Sequence, residues 1–144
     1  MKMSFILSMT LSLIFCGVSA HAEICFQDVT SFQQVRSSLP AVLKNYPLYI
    51  IHQSFEVTGA FAILANGKNI EIDIHANPVV GEAINKTALV RQACLSGNQL
   101  TIQLNDETSE TLTVNQNSFT IEGYEFSITD LATYKEVVAQ AQGN

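Results

Sequence analysis

The chain has 144 residues, a formal net charge of −6 and only 14% charged residues, and this length fits one domain with a core of its own. Its few lysines and arginines are scattered singly, so neither nucleic acid nor an anionic membrane surface, which both need clustered cations, is expected as a partner. No repeat, low-complexity stretch or flexible linker indicates a second domain.

The N-terminal residues have the pattern of a secretory signal. Lys2 supplies a positive charge, residues 5–18 form an apolar core, and the segment Ala20-His21-Ala22 offers the small residues that a signal peptidase accepts. The sequence therefore predicts a signal peptide over residues 1–22 that is removed on export.

Lipid attachment at Cys16 is the alternative, but the bulky Phe15 before it disfavours approach of the lipoprotein peptidase. No second apolar stretch or basic stop-transfer cluster follows, so no stable membrane insertion is expected after cleavage. The mature domain would then cover residues 23–144 and be periplasmic or secreted.

Cleavage leaves two cysteines, Cys25 and Cys94, in an oxidising compartment. They form no C-x-x-C motif and no cluster with histidine, so metal binding and thiol exchange are not indicated. We predict a structural disulfide between them.

The segment after Cys25 has apolar residues close to helical spacing. Asp28, or Thr30 paired with Gln33, is the candidate N-cap, and Pro40 should end or kink the helix. A strand rich in β-branched and aromatic residues is predicted over 48–57.

Asn66-Gly67 lies between two alternating segments and is typical of a two-residue type I′ turn. Such a turn pairs residues whose numbers sum to 133. Ile63 would then face Ile70 on the apolar side, and Thr58 would face His75 on the polar side.

Residues 79–93 fit either a helix or a strand, and we favour a strand from about Ala88. A bulge or tight turn at Glu122-Gly123 would explain a change of face between two later strands. The other strands follow from alternating apolar residues at Leu100, Ile102, Leu104, Leu112 and Val114.

The C-terminal segment predicts a short amphipathic helix capped by Thr129 or Asp130. We therefore expect an α+β fold: an antiparallel sheet of about five to seven strands, flat or curled, with an N-terminal and a C-terminal helix packed on it and one disulfide.

Glu71, Asp73 and His75 alternate along one predicted strand and so share a face, where they are the candidate catalytic or metal-binding set. His52, between apolar neighbours, is a second candidate acid or base. For both, an ordinary structural role is the simpler interpretation. No H-E-x-x-H spacing, G-x-S-x-G elbow or phosphate-binding loop occurs, and no cofactor or metal is expected.

These observations favour an exported, non-catalytic binding or interaction protein of the bacterial envelope, which holds a protein partner at a sheet edge or a small apolar ligand in a hollow. In a curled sheet, some of the many aromatic residues would line such a hollow. The alternatives are a small hydrolase or metal-dependent enzyme built on the Glu/Asp/His strand, and a structural accessory subunit of an envelope assembly.

Overall fold

The computed structural model describes residues 22–143, so the predicted signal peptide, with Cys16, lies outside the described residues except for Ala22. The described residues form nine strands and two α-helices, with two 3-10 turns, Arg36–Ser38 and Ala41–Lys44, before the second strand. The elements are β1 (Ile24–Phe26), α1 (Val29–Val35), β2 (Leu48–Gln53), β3 (Val57–Asn66), β4 (Asn69–Pro78), β5 (Ile84–Ser96), β6 (Gln99–Leu104), β7 (Ser109–Val114), β8 (Ser118–Ile121), β9 (Tyr124–Ile128) and α2 (Leu131–Ala141).

Eight of the strands close into an antiparallel β-barrel. Each strand from β2 to β9 pairs with the next, β9 returns to β2, and β1 pairs with the far end of β5. The predicted α+β fold, an open sheet of five to seven strands with two packed helices, is therefore wrong. Closure depends on the pairing of β2 with β9, which are distant in sequence, and no local pattern of residues reveals that pairing.

Alternating side chains fill most of the barrel. Along β4, Ile70 and Ile72 point inward and are fully buried, as are Leu100, Ile102 and Leu104 along β6. Eight strands enclose a space just wide enough for side chains to fill or for one small ligand. The interior therefore has little spare volume except where its side chains are small.

The N-terminal segment closes one end of the barrel. Phe32 of α1 and Val42 and Leu43 of the second 3-10 turn are buried in the same cluster as the barrel interior. The Val29 N–H donates to the Lys68 carbonyl, 3.0 Å away, and this bond fastens α1 to the β3–β4 turn. We call this end the closed end.

Asp28, one of the two predicted caps, is the N-cap of α1. The Asp28 carboxylate accepts a hydrogen bond from the Ser31 N–H (2.8 Å), and the Ser31 hydroxyl accepts one from the Asp28 N–H (3.0 Å). This reciprocal capping box satisfies N–H groups that the first turn leaves unpaired. The Thr30 and Gln33 pair does not form the cap.

Cys25 and Cys94 are direct cross-strand partners in β1 and β5, with Cα atoms 4.1 Å apart and sulfur atoms at disulfide distance. This supports the predicted pairing. On β5, Ala93 and Leu95 point into the core, so Cys94, which lies between them, points outward. The disulfide therefore links β1 to β5 on the outside of the barrel wall, near the closed end.

The β3–β4 hairpin forms, but its register differs from the prediction. Asn66 pairs with Asn69, and the two loop residues are Gly67 and Lys68. Gly67 has φ +64° and Lys68 has no positive φ, which is the type II′ pattern with glycine at the first central position. The turn moves by one residue, so each residue pairs two positions away from its expected partner, and His75 faces Ala60 instead of Thr58. A shift of two residues leaves every side chain on its expected face.

The structure also decides between the alternatives for two other segments. Residues 79–93 contribute a strand, which begins at Ile84 and so starts earlier than the expected Ala88. Glu122-Gly123 forms a tight turn with φ +52° and +88°, the pattern of a type I′ loop. This turn, and not a bulge, accounts for the change of face between β8 and β9.

Helix α2 packs on the outside of the barrel. The Asp130 carboxylate caps it by accepting from the Thr133 N–H (2.7 Å), as one of the two predicted caps. Tyr134 and Val137 bury the outward-facing alanines of β3. Within residues 22–143, no helix is long and apolar enough to cross a bilayer.

Candidate functional site

The end of the barrel opposite the closed end is open and contains an apolar hollow of about 200 Å³. We call it the mouth. Its lining comes from opposite walls of the barrel, so it is the upper part of the interior and not a surface groove. It is lined by Val57, Gly59, Ala60, Phe61, Ile74, His75, Ala76, Pro78, Ile84, Glu110, Ile121, Glu122, Tyr124 and Phe126.

Small residues at the mouth leave the space that bulky residues fill below. Gly59 and Ala76 are cross-strand partners in β3 and β4, and both line the hollow. A Cβ atom on Gly59 would lie 3.3 Å from two ring carbons of Phe126. Glycine at this position therefore allows the Phe126 ring to lie against the wall.

Two connecting loops form an apolar rim beside the mouth. Phe55 in the β2–β3 loop is 93% exposed, and Val79 and Val80 in the β4–β5 loop are 70% and 88% exposed. The Val79 N–H donates to the Glu56 carbonyl, 2.9 Å away, so the two loops are joined. Large apolar residues that stay exposed together often mark a binding site.

The mouth also contains an inward-facing carboxylate, Glu110. Burial raises the pKa of its carboxyl group; Lys86 acts against that rise, and Glu122 and Asp106 add to it. An acidic group with a raised pKa beside an apolar hollow is a feature of binding and catalytic sites.

The predicted polar strand face has the outward parity of β4, although His75 also borders the mouth. The structure brings two of its three residues together. The His75 Nε2 is 3.7 Å from an Asp73 carboxylate oxygen. The His75 Nδ1 lies 2.8 Å from the Asn85 amide oxygen, at hydrogen-bond distance. The Thr87 hydroxyl donates to Asp73. His75 is only 9% exposed, and each of its partners comes from β4 or β5.

Glu71 does not join this pair. Its carboxylate accepts a hydrogen bond from Asn66 at the β3–β4 turn (3.5 Å). Among residues 22–143, the one set of three potential metal ligands within 4.8 Å of one another is Glu23 with Cys25 and Cys94. The two sulfur atoms of that set are at disulfide distance. The predicted Glu/Asp/His set is thus not assembled around a common point.

His52 lies at the junction of the first and last barrel strands. Its Nδ1 is 2.7 Å from the Glu125 carbonyl oxygen, so Nδ1 carries the proton. The ring lies 5.1 Å from Tyr124 and 5.5 Å from Phe126, centroid to centroid. Strands β2 and β9 share only two residue pairs, and this side-chain bond extends their contact.

Two other hollows are less suited to a ligand. One, of about 320 Å³, lies beneath α2 between Tyr134 and Asp73, where burial and then the Asp73 charge raise the pKa of Tyr134. The other, of about 710 Å³, lies at the closed end beside Ser38 and Gly97 and is broadly open to solvent. Neither combines an apolar lining with enclosure by opposite walls.

The mouth was not predicted from the sequence as a site. The expectation that some aromatic residues line a hollow is consistent with Phe61, Tyr124 and Phe126 here, but the part played by Gly59, Ala76 and Glu110 was not predicted. No family model, curated protein or solved structure matches this chain. The geometry and chemistry of the mouth therefore carry the functional argument.

Proposed function

We propose that the protein is an exported, non-catalytic binding protein that takes a small apolar ligand into the mouth of its barrel. The observation that carries this proposal is the apolar hollow of about 200 Å³ enclosed by opposite barrel walls, at an end that no element covers among residues 22–143. The rest of the interior is filled with side chains.

The volume limits the ligand. Sites for drug-sized molecules are about 300–1,000 Å³, so the mouth suits a smaller molecule or one end of a longer one. The exposed apolar side chains of Phe55, Val79 and Val80 extend this surface beyond the hollow. A protein partner held at a strand edge is a weaker candidate, because closure of the barrel pairs both edges of nearly every strand.

The test is a titration of the isotope-labelled protein with 2-phenylethanol, followed by amide NMR. We expect saturable chemical-shift changes at Gly59, Phe61, Ala76, Tyr124 and Phe126. Native mass spectrometry of gently purified protein should in addition detect a small apolar adduct that organic solvent removes. Changes absent at millimolar alcohol, or spread over the whole surface, would contradict the proposal.

A variant that fills the mouth, compared with a control variant elsewhere, tests whether the alcohol binds there. Ala76→Leu places three more carbon atoms in the hollow, and it should weaken alcohol binding at least about tenfold while the protein stays folded. Ala132→Leu makes the same change at an exposed position of α2, and its affinity should equal that of the parent. Equal binding by both variants would show that the alcohol does not enter the mouth.

A further inference from the structure

The inward face of β7 carries a charge where the barrel is otherwise apolar. Leu112 and Val114 point inward and are buried, and Glu110 has the same strand parity two residues earlier. Its side chain lines the hollow and is partly buried. Within residues 22–143, no hydrogen bond or ion pair engages this carboxylate. A partly desolvated carboxylate without a partner lowers the stability of the folded protein. Glu110 is therefore better explained by a role in binding than by a role in stability.

The nearest cation does not neutralise Glu110. The Lys86 ammonium lies 3.1 Å from an Asp106 carboxylate oxygen and donates to the Thr108 hydroxyl (2.6 Å). Hydrogen bonds from Thr108, then from Lys86, lower the pKa of Asp106 to about 2. Asp106 is therefore ionised at neutral pH and forms the ion pair with Lys86, whereas no ion pair among residues 22–143 engages Glu110 or Glu122.

The same charge sign extends around this end of the barrel. The loops and strand ends at the mouth carry Lys86 and the carboxylates Glu56, Glu82, Asp106, Glu107, Glu110 and Glu122. At the closed end, the basic residues Arg36, Lys44 and Lys68 lie together with the carboxylates of Asp28 and Glu71, so the charges there are mixed. Clustered charge at the entrance of an apolar cavity concentrates ligands of the opposite sign.

We propose that the ligand of the mouth is a small apolar amine, bound as its cation, with the ammonium group at Glu110 and the apolar body against Phe61 and Phe126. This inference rests on the proposed function and adds the charge of the ligand to it. The rings of Tyr124 and Phe126 at the same site favour a cation further. Binding would give the Glu110 carboxylate the partner that the protein lacks.

The test compares two probes with the same apolar body, 2-phenylethylamine and 2-phenylethanol, by isothermal titration calorimetry at pH 7 and low ionic strength. The amine should bind about tenfold tighter, as expected for one charge-assisted contact at a partly exposed carboxylate. Added salt should reduce this ratio, because it screens the carboxylates. The wild-type ratio needs no variant, so it does not depend on the folding of a mutant.

Variants then locate the preference. Glu110→Gln should bring the amine-to-alcohol affinity ratio close to one, mainly by weakening the binding of the amine. Glu136→Gln removes an exposed carboxylate from α2, so its ratio should match that of the parent.

The possible failures are distinct. Equal affinity for amine and alcohol would overturn the charge preference and leave the apolar site intact. No binding of either probe would overturn the proposed function and this inference together. A preference that survives both Glu110→Gln and the double variant with Glu122→Gln would place the amine elsewhere and overturn the inference.

Discussion

The two ends of the barrel are built from the same eight strands but differ in packing and charge. At the closed end, α1 and the 3-10 turns bury Phe32 and Leu43 against the interior, and basic residues lie there beside the Asp28 carboxylate. At the mouth, Gly59 and Ala76 leave a hollow, the rim exposes Phe55, and the charged residues are mostly acidic. The closed end therefore contributes most of the packing, whereas the mouth leaves apolar and acidic side chains exposed. Binding sites are commonly found in such less stable parts of a fold.

The largest expected effect comes from the same substitution made at the two ends. Phe32→Ala removes a ring that is 3% exposed and packs on Phe26 and Tyr46 at 5.1 and 4.8 Å. It should lower the free energy of unfolding by about 3–5 kcal/mol. Phe55→Ala removes a ring that is 93% exposed and should change stability by less than about 0.5 kcal/mol.

Urea denaturation followed by circular dichroism measures both changes. Comparable losses for Phe32→Ala and Phe55→Ala would contradict the division into a packed end and an open end. The second variant is also a folded protein in which the contribution of the rim to ligand affinity can be measured.

The next effect concerns the attachment of the closed end. Replacing Cys25 and Cys94 together by alanine removes a link between residues 69 positions apart. Because a long loop loses much of its freedom when it is closed, the double variant should be less stable by about 2–4 kcal/mol. Thermal unfolding without and with reductant supplies the control: the reductant should lower the melting temperature of the parent and leave that of the double variant unchanged.

The smallest effect concerns the mouth and depends on pH. The folded-state pKa of Glu110 is raised above 4.5, so the folded protein binds that proton more tightly than the unfolded chain does. The ionised group is then a stability cost that appears as pH rises from about the unfolded value through the folded one. Glu110→Gln should be slightly more stable than the parent at pH 7, by less than about 1 kcal/mol because the carboxylate reaches solvent.

Measuring both proteins from pH 3.5 to 7 tests this sign. The difference in melting temperature should shrink as pH falls below the ordinary glutamate range. A difference that grows on acidification would mean that Glu110 is stabilised as the anion, by Lys86 or by another group.

The sequence predicted local structure well and the closed architecture poorly. Alternation along β6 and β7, the Asp28 and Asp130 caps and the turn at Glu122-Gly123 are properties of neighbouring residues, and each is present in the structure. The register of the β3–β4 hairpin was wrong because Asn-Gly fits a type I′ loop, whereas the chain places Gly67 at the first central position of a type II′ loop.

The mouth could not be predicted because it depends on the barrel being closed. Gly59 and Glu110 belong to different hairpins, and only a ring brings them to the same hollow. The alternation Glu110, Leu112, Val114 was a usable signal, because it placed an acid on an apolar strand face. The Glu/Asp/His set was predicted from shared parity alone, and parity does not show that Glu71 turns instead towards Asn66.

The junction of β2 and β9 has a consequence for how the protein folds. Every other pairing in the ring joins strands that are adjacent in sequence and so forms at short contact order. This one joins the beginning of the ring to its end through Ile50 with Ile128 and Ile51 with Ser127. The free-energy barrier to folding should therefore lie in bringing these two distant strands together, and α2, which follows β9 directly, is placed to hold them once they meet.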